Sequence, residues 1–194
     1  MPNPQDKRLL RQTMLEKRQR LSAYAQDAAA VSVARHFADH PILAFTSSFS
    51  GYISMRGEID TMPIFRIMAR TQKPTALPRM EPRTKLLHFR QWRETDPLEI
   101  GAFNVREPLA GALAIIPALV LVPTLAFDAR GVRLGYGGGW YDRTMDTLRQ
   151  HSTPPLFVGV AHSIQELPEL PLEPHDQFLD GILTEVGVSM FSRL

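Results

Sequence analysis

The run Ile115-Ile116-Pro117-Ala118-Leu119-Val120-Leu121-Val122-Pro123, followed by Gly131-Val132-Arg133-Leu134-Gly135-Tyr136-Gly137-Gly138-Gly139-Trp140-Tyr141-Asp142-Arg143, decides the fold class of this chain. Ile115 to Val122 is almost continuously apolar and ends at Pro123, the texture of a strand covered on both faces. Phe127-Asp128-Ala129-Arg130-Gly131 is turn chemistry. A helix is expected from Tyr141 to Gln150, and Leu156 to Val160 supplies the next strand. Strand, glycine-rich loop, helix and strand in succession are the alternation of an α/β domain with a mainly parallel sheet.

The same reading extends outward. Asn3-Pro4-Gln5-Asp6 reads as a helix start: Asn3 caps, Pro4 suits the first turn, and Asp6 meets the positive dipole end. Leu9, Leu10, Met14 and Leu21 recur at helical spacing. Ser22 caps a second helix whose apolar face is Ala30, Val31, Ala34 and Phe37, with Pro41 beyond its end. Both helices are expected to pack one stripe inward and leave a basic face outward. Leu43 to Ile53 has strand texture. Asp60 or Thr61 caps a third helix carrying Ile64, Phe65, Ile67 and Met68. Strands are expected at Thr75 to Pro78, Leu86 to Trp92 and Gly181 to Thr184. The prolines from Pro154 to Pro174 mark long loops, and residues 1–194 read as one domain without repeats.

Composition narrows the chemistry. The 194 residues are 44% apolar and 22% charged, with 22 Lys plus Arg against 20 Asp plus Glu, a net charge of +2. That excess is too small, and too interleaved with acids, for a nucleic-acid footprint. There is no cysteine, which excludes disulfides, Cys-ligated zinc, iron–sulfur clusters and a thiol nucleophile. Lys7, Arg8, Arg11, Lys17, Arg18 and Arg20 crowd the N-terminus with more charge than a signal peptide's apolar core carries. The Ala112 to Val122 run is too short to span a bilayer. The expectation is a cytoplasmic protein acting on small molecules, without nucleic acid or membrane, and a monomer, with a dimer left open.

Five of the twelve glycines lie between Gly131 and Gly139, just before a helix. Glycine lets successive N–H groups converge on one point, and a helix N-terminus adds unpaired donors, so the cluster favours an anion site over a tight turn or bulge. Arg133 and Arg143 flank it as further charge for phosphate oxygens. No Walker A loop is present, and the third glycine of G-x-G-x-x-G would fall on Trp140. Asp142 has two readings: a hard-oxygen ligand for Mg²⁺ beside the phosphates, or an acid complementing the helix dipole. Tyr136, Trp140 and Tyr141 suit either ring stacking or core packing. No His-Glu-x-x-His or Gly-x-Ser-x-Gly motif supports zinc or serine hydrolysis.

These blocks resemble the 5-formyltetrahydrofolate cyclo-ligase family, also called 5,10-methenyltetrahydrofolate synthetases. The resemblance is carried by Val122-Pro123, Phe127-Asp128 and Gly131 through Arg143. It continues in Lys7-Arg8-Leu9-Leu10-Arg11, Ile53 through Thr61, Leu77-Pro78-Arg79, Glu107-Pro108, and His175-Asp176 with Asp180 to Glu185. Trp140 departs from the pattern, where the family more often has Tyr or Phe; an indole keeps the aromatic face and changes its width.

The resemblance implies a three-layer α/β/α sandwich of the type shared with sugar-phosphate isomerases and CoA transferases. It implies an ATP- and Mg²⁺-dependent conversion of 5-formyltetrahydrofolate to 5,10-methenyltetrahydrofolate, with release of ADP and phosphate. In that reaction the formyl oxygen attacks the γ-phosphate, N10 adds to the phosphorylated imidate, and phosphate departs. By position, Lys7, Arg8, Leu9, Leu10 and Arg11 resemble the first nucleotide-binding block. Arg133, Leu134, Gly135, Tyr136, Gly137, Gly138, Gly139, Trp140 and Tyr141 resemble the second. Arg11, Ile53, Glu58 and Tyr136 to Trp140 resemble folate contacts, and Asp142 with Asp176 the magnesium pair. Lys7, Arg11, Arg133 and Arg143 are the cations expected to act on the transferred phosphate. Glu58 is expected either to accept from the pterin's N–H groups or to orient N10. Arg79 is either a contact for phosphate or the folate tail, or a surface arginine. The rival readings are an isomerase or CoA transferase on the same fold, and a non-catalytic folate-binding protein.

Overall fold

The structure, a computed structural model, describes residues 4–191. The expected Asn3 cap and the side chain of Asp6 therefore lie outside the described residues. Along the chain come α1 (Pro4–Gln19), α2 (Ala23–Asp39), α3 (Pro41–Ala44), β1 (Phe49–Ser50), α4 (Met62–Ala69), β2 (Thr75–Glu81), β3 (Leu86–Gln91), β4 (Leu98–Ile100) and β5 (Arg106–Pro108). Then follow β6 (Leu119–Pro123), β7 (Ala126–Phe127), β8 (Arg133–Leu134), α5 (Trp140–Leu148), β9 (Leu156–Val160), β10 (Gly181–Thr184) and β11 (Gly187–Met190).

A seven-stranded sheet runs in the order β11-β10-β9-β6-β1-β2-β3. Its five inner strands are parallel, and each edge strand is an antiparallel hairpin partner, β11 on β10 and β3 on β2. The hairpins β4–β5 and β7–β8 stand outside it. This is a mixed α/β fold built on a large, mostly parallel sheet. No helix among the described residues is long and apolar enough to cross a membrane.

Alternation along β6 shows why its sequence is apolar throughout. Leu119 and Leu121 enter one core with Phe37 of α2, Leu43 of α3 and Ile64 and Phe65 of α4. Val120 and Val122 enter a second core with Met145 and Leu148 of α5. Successive side chains of a strand point to opposite faces, so a strand covered on both must be apolar at every position. A third cluster seats Met14 of α1 against Leu125, Ala126, Val132 and Leu134 around the β7–β8 hairpin.

The strands Leu156–Val160 and Gly181–Thr184 stand where expected. Ser22 caps α2, accepting from the Ala25 N–H at 3.2 Å. Thr61 occupies the N-cap position of α4, but its hydroxyl is bound to Tyr52, donating to the carbonyl at 2.8 Å. Asp60 supplies the capping oxygen instead, accepting from the Met62 N–H at 3.0 Å.

Four expectations are corrected. The strand expected from Leu43 to Ile53 is only Phe49–Ser50, because Pro41 starts the short helix α3 and takes Leu43 into it. The strand after Ile115 begins at Leu119, beyond the Pro117 that cannot donate to a ladder. Leu9 and Val31 face solvent, and Val33 takes the inward position expected of Val31. Most consequential, α1 does not turn its basic face outward: Lys7 and Arg18 are buried with Met14, and Arg11 is half-buried on the same side. The spacing i, i+4, i+7, i+11 is one helical face, and the partners described below hold its charges inside. The short strands β4, β5 and β11 carried no sequence signal.

Phe37 is fully buried and packs on Phe49 with ring centroids 6.0 Å apart. Phe37→Ala is expected to cost about 3–5 kcal/mol of stability, read as a lowered urea midpoint.

Candidate active site

The chain leaves β1 toward β2 on one side and returns to β6 on the other. β1 and β6 are parallel neighbours, with Phe49 opposite Leu119, so their carboxyl ends open side by side. The helices that follow them, α4 and α5, pack on opposite faces of the sheet. Such a switch point leaves a crevice at the strand ends, where open α/β sheets bind ligands. Here it is a cleft of about 290 Å³. Its walls are Tyr52 to Glu58 after β1, Leu77 to Met80 on β2, Pro123 at the end of β6, and Arg133 to Asp142. α1 closes it with Lys7 and Arg11, and the 173–176 loop with Glu173, His175 and Asp176.

Along the glycine loop the backbone is held in forms that require glycine. Gly137 has φ +94°, and a Cβ there would stand 3.2 Å from the Arg11 guanidinium carbon. Gly139, at φ +65°, turns the chain into α5. Arg11 Nε donates to the Gly135 carbonyl at 2.9 Å, and Arg143 Nη2 to the Gly138 carbonyl at 2.5 Å. The carbonyls are thus bound from behind. Among the described residues, no N–H from Tyr136 to Gly139 donates to a protein acceptor. Four successive free donors running into a helix N-terminus make an anion-binding arc.

The acids of the cleft are paired with cations. Lys7 Nζ lies 2.6 Å from Asp176 and 3.0 Å from Glu173. Arg133, whose side chain is 4% exposed, lies 2.8 Å from Asp142 Oδ1. The same oxygen accepts from the Gln177 N–H at 3.2 Å, which places Asp142 against the residue following Asp176. Arg133 Nε is buried without a partner. Among the described residues, Asp142 Oδ2 and Asp176 Oδ1 take no hydrogen bond. Carboxylate oxygens free of protein donors, on Asp142 and on Asp176, are the hard ligands that Mg²⁺ takes, one or two at a time. Glu173, His175 and Asp176 also bring ligand atoms within 4.8 Å of one another.

At the other end Glu58 is buried, and its Oε2 accepts from the Met55 N–H at 3.0 Å. Burial raises its pKa above the ordinary carboxylate value, against the pull of the Met55 N–H and of Arg18. The Tyr136 hydroxyl accepts from Arg18 Nη2. Burial and the Glu58 charge push that phenol up to about 12, and the same two causes raise Tyr141.

Most expected residues meet in this one cleft: Lys7, Arg11, Ile53, Glu58, Arg133 to Asp142, and Asp176. Arg8 and Leu9 point to solvent, and Leu10 packs into the cluster under the β7–β8 hairpin. Arg143 lies behind the loop, with its Nε on the Lys85 carbonyl at 3.2 Å. Trp140 and Tyr141 pack on the second core and also line the cleft. Arg79 ties the β4–β5 hairpin to β2, bonding Glu99 at 2.6 Å and the Pro108 carbonyl at 2.7 Å. Sequence reasoning missed Arg18, Tyr52, Met55, Glu107, Glu173 and His175. Met55, Glu107 and His175 lie in blocks that carry the family resemblance, and Arg18 stands seven residues after Arg11.

A phenol with a raised pKa stabilises the fold fully below its unfolded value near 10 and loses that contribution as pH rises through the folded value. Urea midpoints are therefore expected to fall between pH 10 and about 12, and less steeply in Tyr136→Phe. Parallel slopes for the two proteins would contradict the burial of this hydroxyl.

Comparison with known proteins agrees with this geometry. A model of the 5-formyltetrahydrofolate cyclo-ligase family matches residues 3–185. The chain is 31% identical over 186 residues to the 5-formyltetrahydrofolate cyclo-ligase of Haemophilus influenzae, covering 93% of this chain and 98% of that protein. It is 29% identical over 174 residues to that of Escherichia coli K12, covering 87% and 94%. Among solved structures, the Aquifex aeolicus 5,10-methenyltetrahydrofolate synthetase superposes with a TM-score of 0.80 at 29% identity, covering 97% of this chain and 94% of that one. A Mycoplasma pneumoniae protein superposes at 0.74 and 21% identity, covering 93% and 99%, and shares the fold. With a family match spanning nearly its whole length, this chain belongs to the 5-formyltetrahydrofolate cyclo-ligase family.

Proposed function

We propose that this chain converts 5-formyltetrahydrofolate to 5,10-methenyltetrahydrofolate, consuming ATP with Mg²⁺ and releasing ADP and phosphate. The observation that carries the reading is the free N–H arc of Tyr136 to Gly139 in the same cleft as the buried Glu58 carboxyl. One is a grip for phosphate oxygens; the other is an acceptor for the N–H groups of a pterin. Their common cleft suits a reaction that joins a triphosphate to a folate.

A formamide oxygen is a poor leaving group, so ring closure by N10 needs that oxygen activated. Its attack on the γ-phosphate expels ADP. N10 then adds to the imidate carbon, loses its proton, and phosphate leaves. Phosphoryl transfer depends on positioning and on neutralising charge spread over the phosphate oxygens. The glycine arc, Lys7, Arg11 and Arg133 would provide that neutralisation. Asp142 and Asp176 would hold Mg²⁺, which would supply positive charge to neutralise the phosphate. Trp140 and Tyr136 would lie against the folate's planar rings, with Ile53 beside them. Arg143 would act one step back, holding the Gly138 carbonyl so that the loop's N–H groups stay turned to the cleft.

The same proposal covers organisation. Residues 1–194 would work as one domain, a three-layer sandwich of the sugar-phosphate isomerase and CoA transferase type. The cores on the two sheet faces support this. It would act as a cytoplasmic monomer on small molecules alone.

Purified chain is expected to hydrolyse ATP only with 5-formyltetrahydrofolate present, with the near-ultraviolet absorbance of the methenyl product rising in step. ATP turnover without folate would remove this reading. Asp142→Asn is expected to raise the Mg²⁺ concentration needed for half-maximal rate more than it raises the folate KM; the opposite order would contradict the metal role.

A further inference from the structure

The chain brings Glu58 to the cleft through a tight turn. The Glu58 N–H donates to the Met55 carbonyl at 3.0 Å, and the Met55 N–H donates to Glu58 Oε2 at the same distance. The residues between them, Arg56 and Gly57, have φ of +50° and +78°. Positive φ at both central positions is the I′ form, which Asn, Asp and Gly favour. Arg56 carries a Cβ that the left-handed region disfavours, so its surroundings must hold it there.

A hydrogen bond to each central carbonyl does so. Arg18 Nε, from α1, donates to the Arg56 carbonyl at 3.1 Å. His162 Nε2 lies 3.2 Å from the Gly57 carbonyl, 105 residues away in the chain. His162 follows β9, is 3% exposed and does not line the cleft. Burial, with the Arg18 charge, holds its pKa below the ordinary histidine value, against the pull of the Gly57 carbonyl and Glu185. The ring is therefore neutral at pH 8 and carries one proton. A carbonyl only accepts, so that proton sits on Nε2.

His162 is itself fixed. Its N–H donates to Gln165 Oε1 at 2.8 Å. The Gln165 amide, also buried, donates to the Thr124 and Leu125 carbonyls at 2.9 and 2.7 Å. Thr124 and Leu125 follow β6, whose chain runs on through the β7–β8 hairpin to the glycine loop. A run of hydrogen bonds thus joins the segment after β6 to the turn after β1, the two strands whose ends open the crevice.

We propose that His162 is a positioning residue for folate capture: donating from Nε2 to the Gly57 carbonyl, it locks the left-handed turn that carries the Glu58 carboxyl into the cleft. The inference rests on the folate reading given above. With the Gly57 carbonyl released, the turn is free to relax toward negative φ at Arg56, and Glu58 leaves its place. The glycine loop has its own supports in Arg11 and Arg143. The loss therefore falls on the folate and spares the nucleotide.

The test combines calorimetric binding with NMR of the histidine ring nitrogens, both on the purified full chain. Dissociation constants for 5-formyltetrahydrofolate and for ATP with Mg²⁺ are measured separately, each without the other ligand. His162→Leu is expected to weaken folate binding about fivefold and to leave ATP binding within about twofold. His162→Gln keeps an N–H donor at similar reach and is expected to restore most of the loss. Nitrogen-15 NMR at pH 8 is expected to place the His162 ring proton on Nε2, the signal being identified by its disappearance in His162→Gln. Equal weakening of both ligands, unchanged folate binding, or no recovery in His162→Gln would make His162 a packing residue and overturn the proposal. Should His162→Leu fail to fold, the ring proton decides: on Nε2 it supports the lock, and on Nδ1 it leaves the Gly57 carbonyl without its donor and overturns it. Absence of cyclo-ligase turnover in the unmodified chain would overturn the proposed function instead, while folate affinity and the ring proton still decide the role of His162.

Discussion

The parallel pairing of β1 with β6 is the constraint on which the rest of the molecule depends. The sheet grows one way from β1 and the other way from β6. The connections after the two strands then cross to opposite faces, α4 on one and α5 on the other. Two adjacent parallel strands whose chains part in this way leave a gap at their carboxyl ends. The glycine loop, the Glu58 segment and the end of β2 all reach that gap because they follow from these strands. Both faces must be apolar for it to hold, which is why β6 carries no polar residue from Leu119 to Pro123.

The second organising feature is the cationic face of α1. Lys7, Arg11 and Arg18 are turned inward over the crevice, an orientation that would be unfavourable if they met only hydrocarbon. Each finds oxygen instead: carboxylates at 173 and 176, the Gly135 carbonyl, and the Arg56 carbonyl with the Tyr136 hydroxyl. Met14 between them anchors the helix on the β7–β8 hairpin. One helix thereby fixes the acidic loop, the back of the glycine loop and the floor near Glu58 in mutual register. The site is assembled by charge and hydrogen bonding around an apolar pivot.

Much of this was legible in local chemistry. The apolar run at 119–123, the glycine cluster and the strands at 156–160 and 181–184 announce themselves through patterns a few residues long. So do Ser22 as a cap and the strands near 75–78 and 86–92. Short-range signals failed where a distant partner decides the outcome. Leu9 has the spacing of a core residue yet faces water, because α1 uses its polar side to dock. Phe49–Ser50 is a two-residue strand because Pro41 starts a helix upstream and the chain turns at Gly51, where a Cβ would meet the Phe65 ring at 2.4 Å. Arg8, Leu9 and Leu10 fall within a nucleotide-binding block by resemblance, but a helix turns successive residues 100° apart and brings only Lys7 and Arg11 to the cleft.

By itself the sequence determined the α/β class and the glycine-rich loop before α5, because each depends on near neighbours in the chain. Tertiary structure alone decided that the acid at 142 lies against the loop carrying Asp176. It also decided that Arg18 reaches the Tyr136 hydroxyl, and that the basic side of α1 is the inner one. Those are contacts between segments 35 to 169 residues apart, and no local pattern specifies which distant oxygen will answer a buried charge.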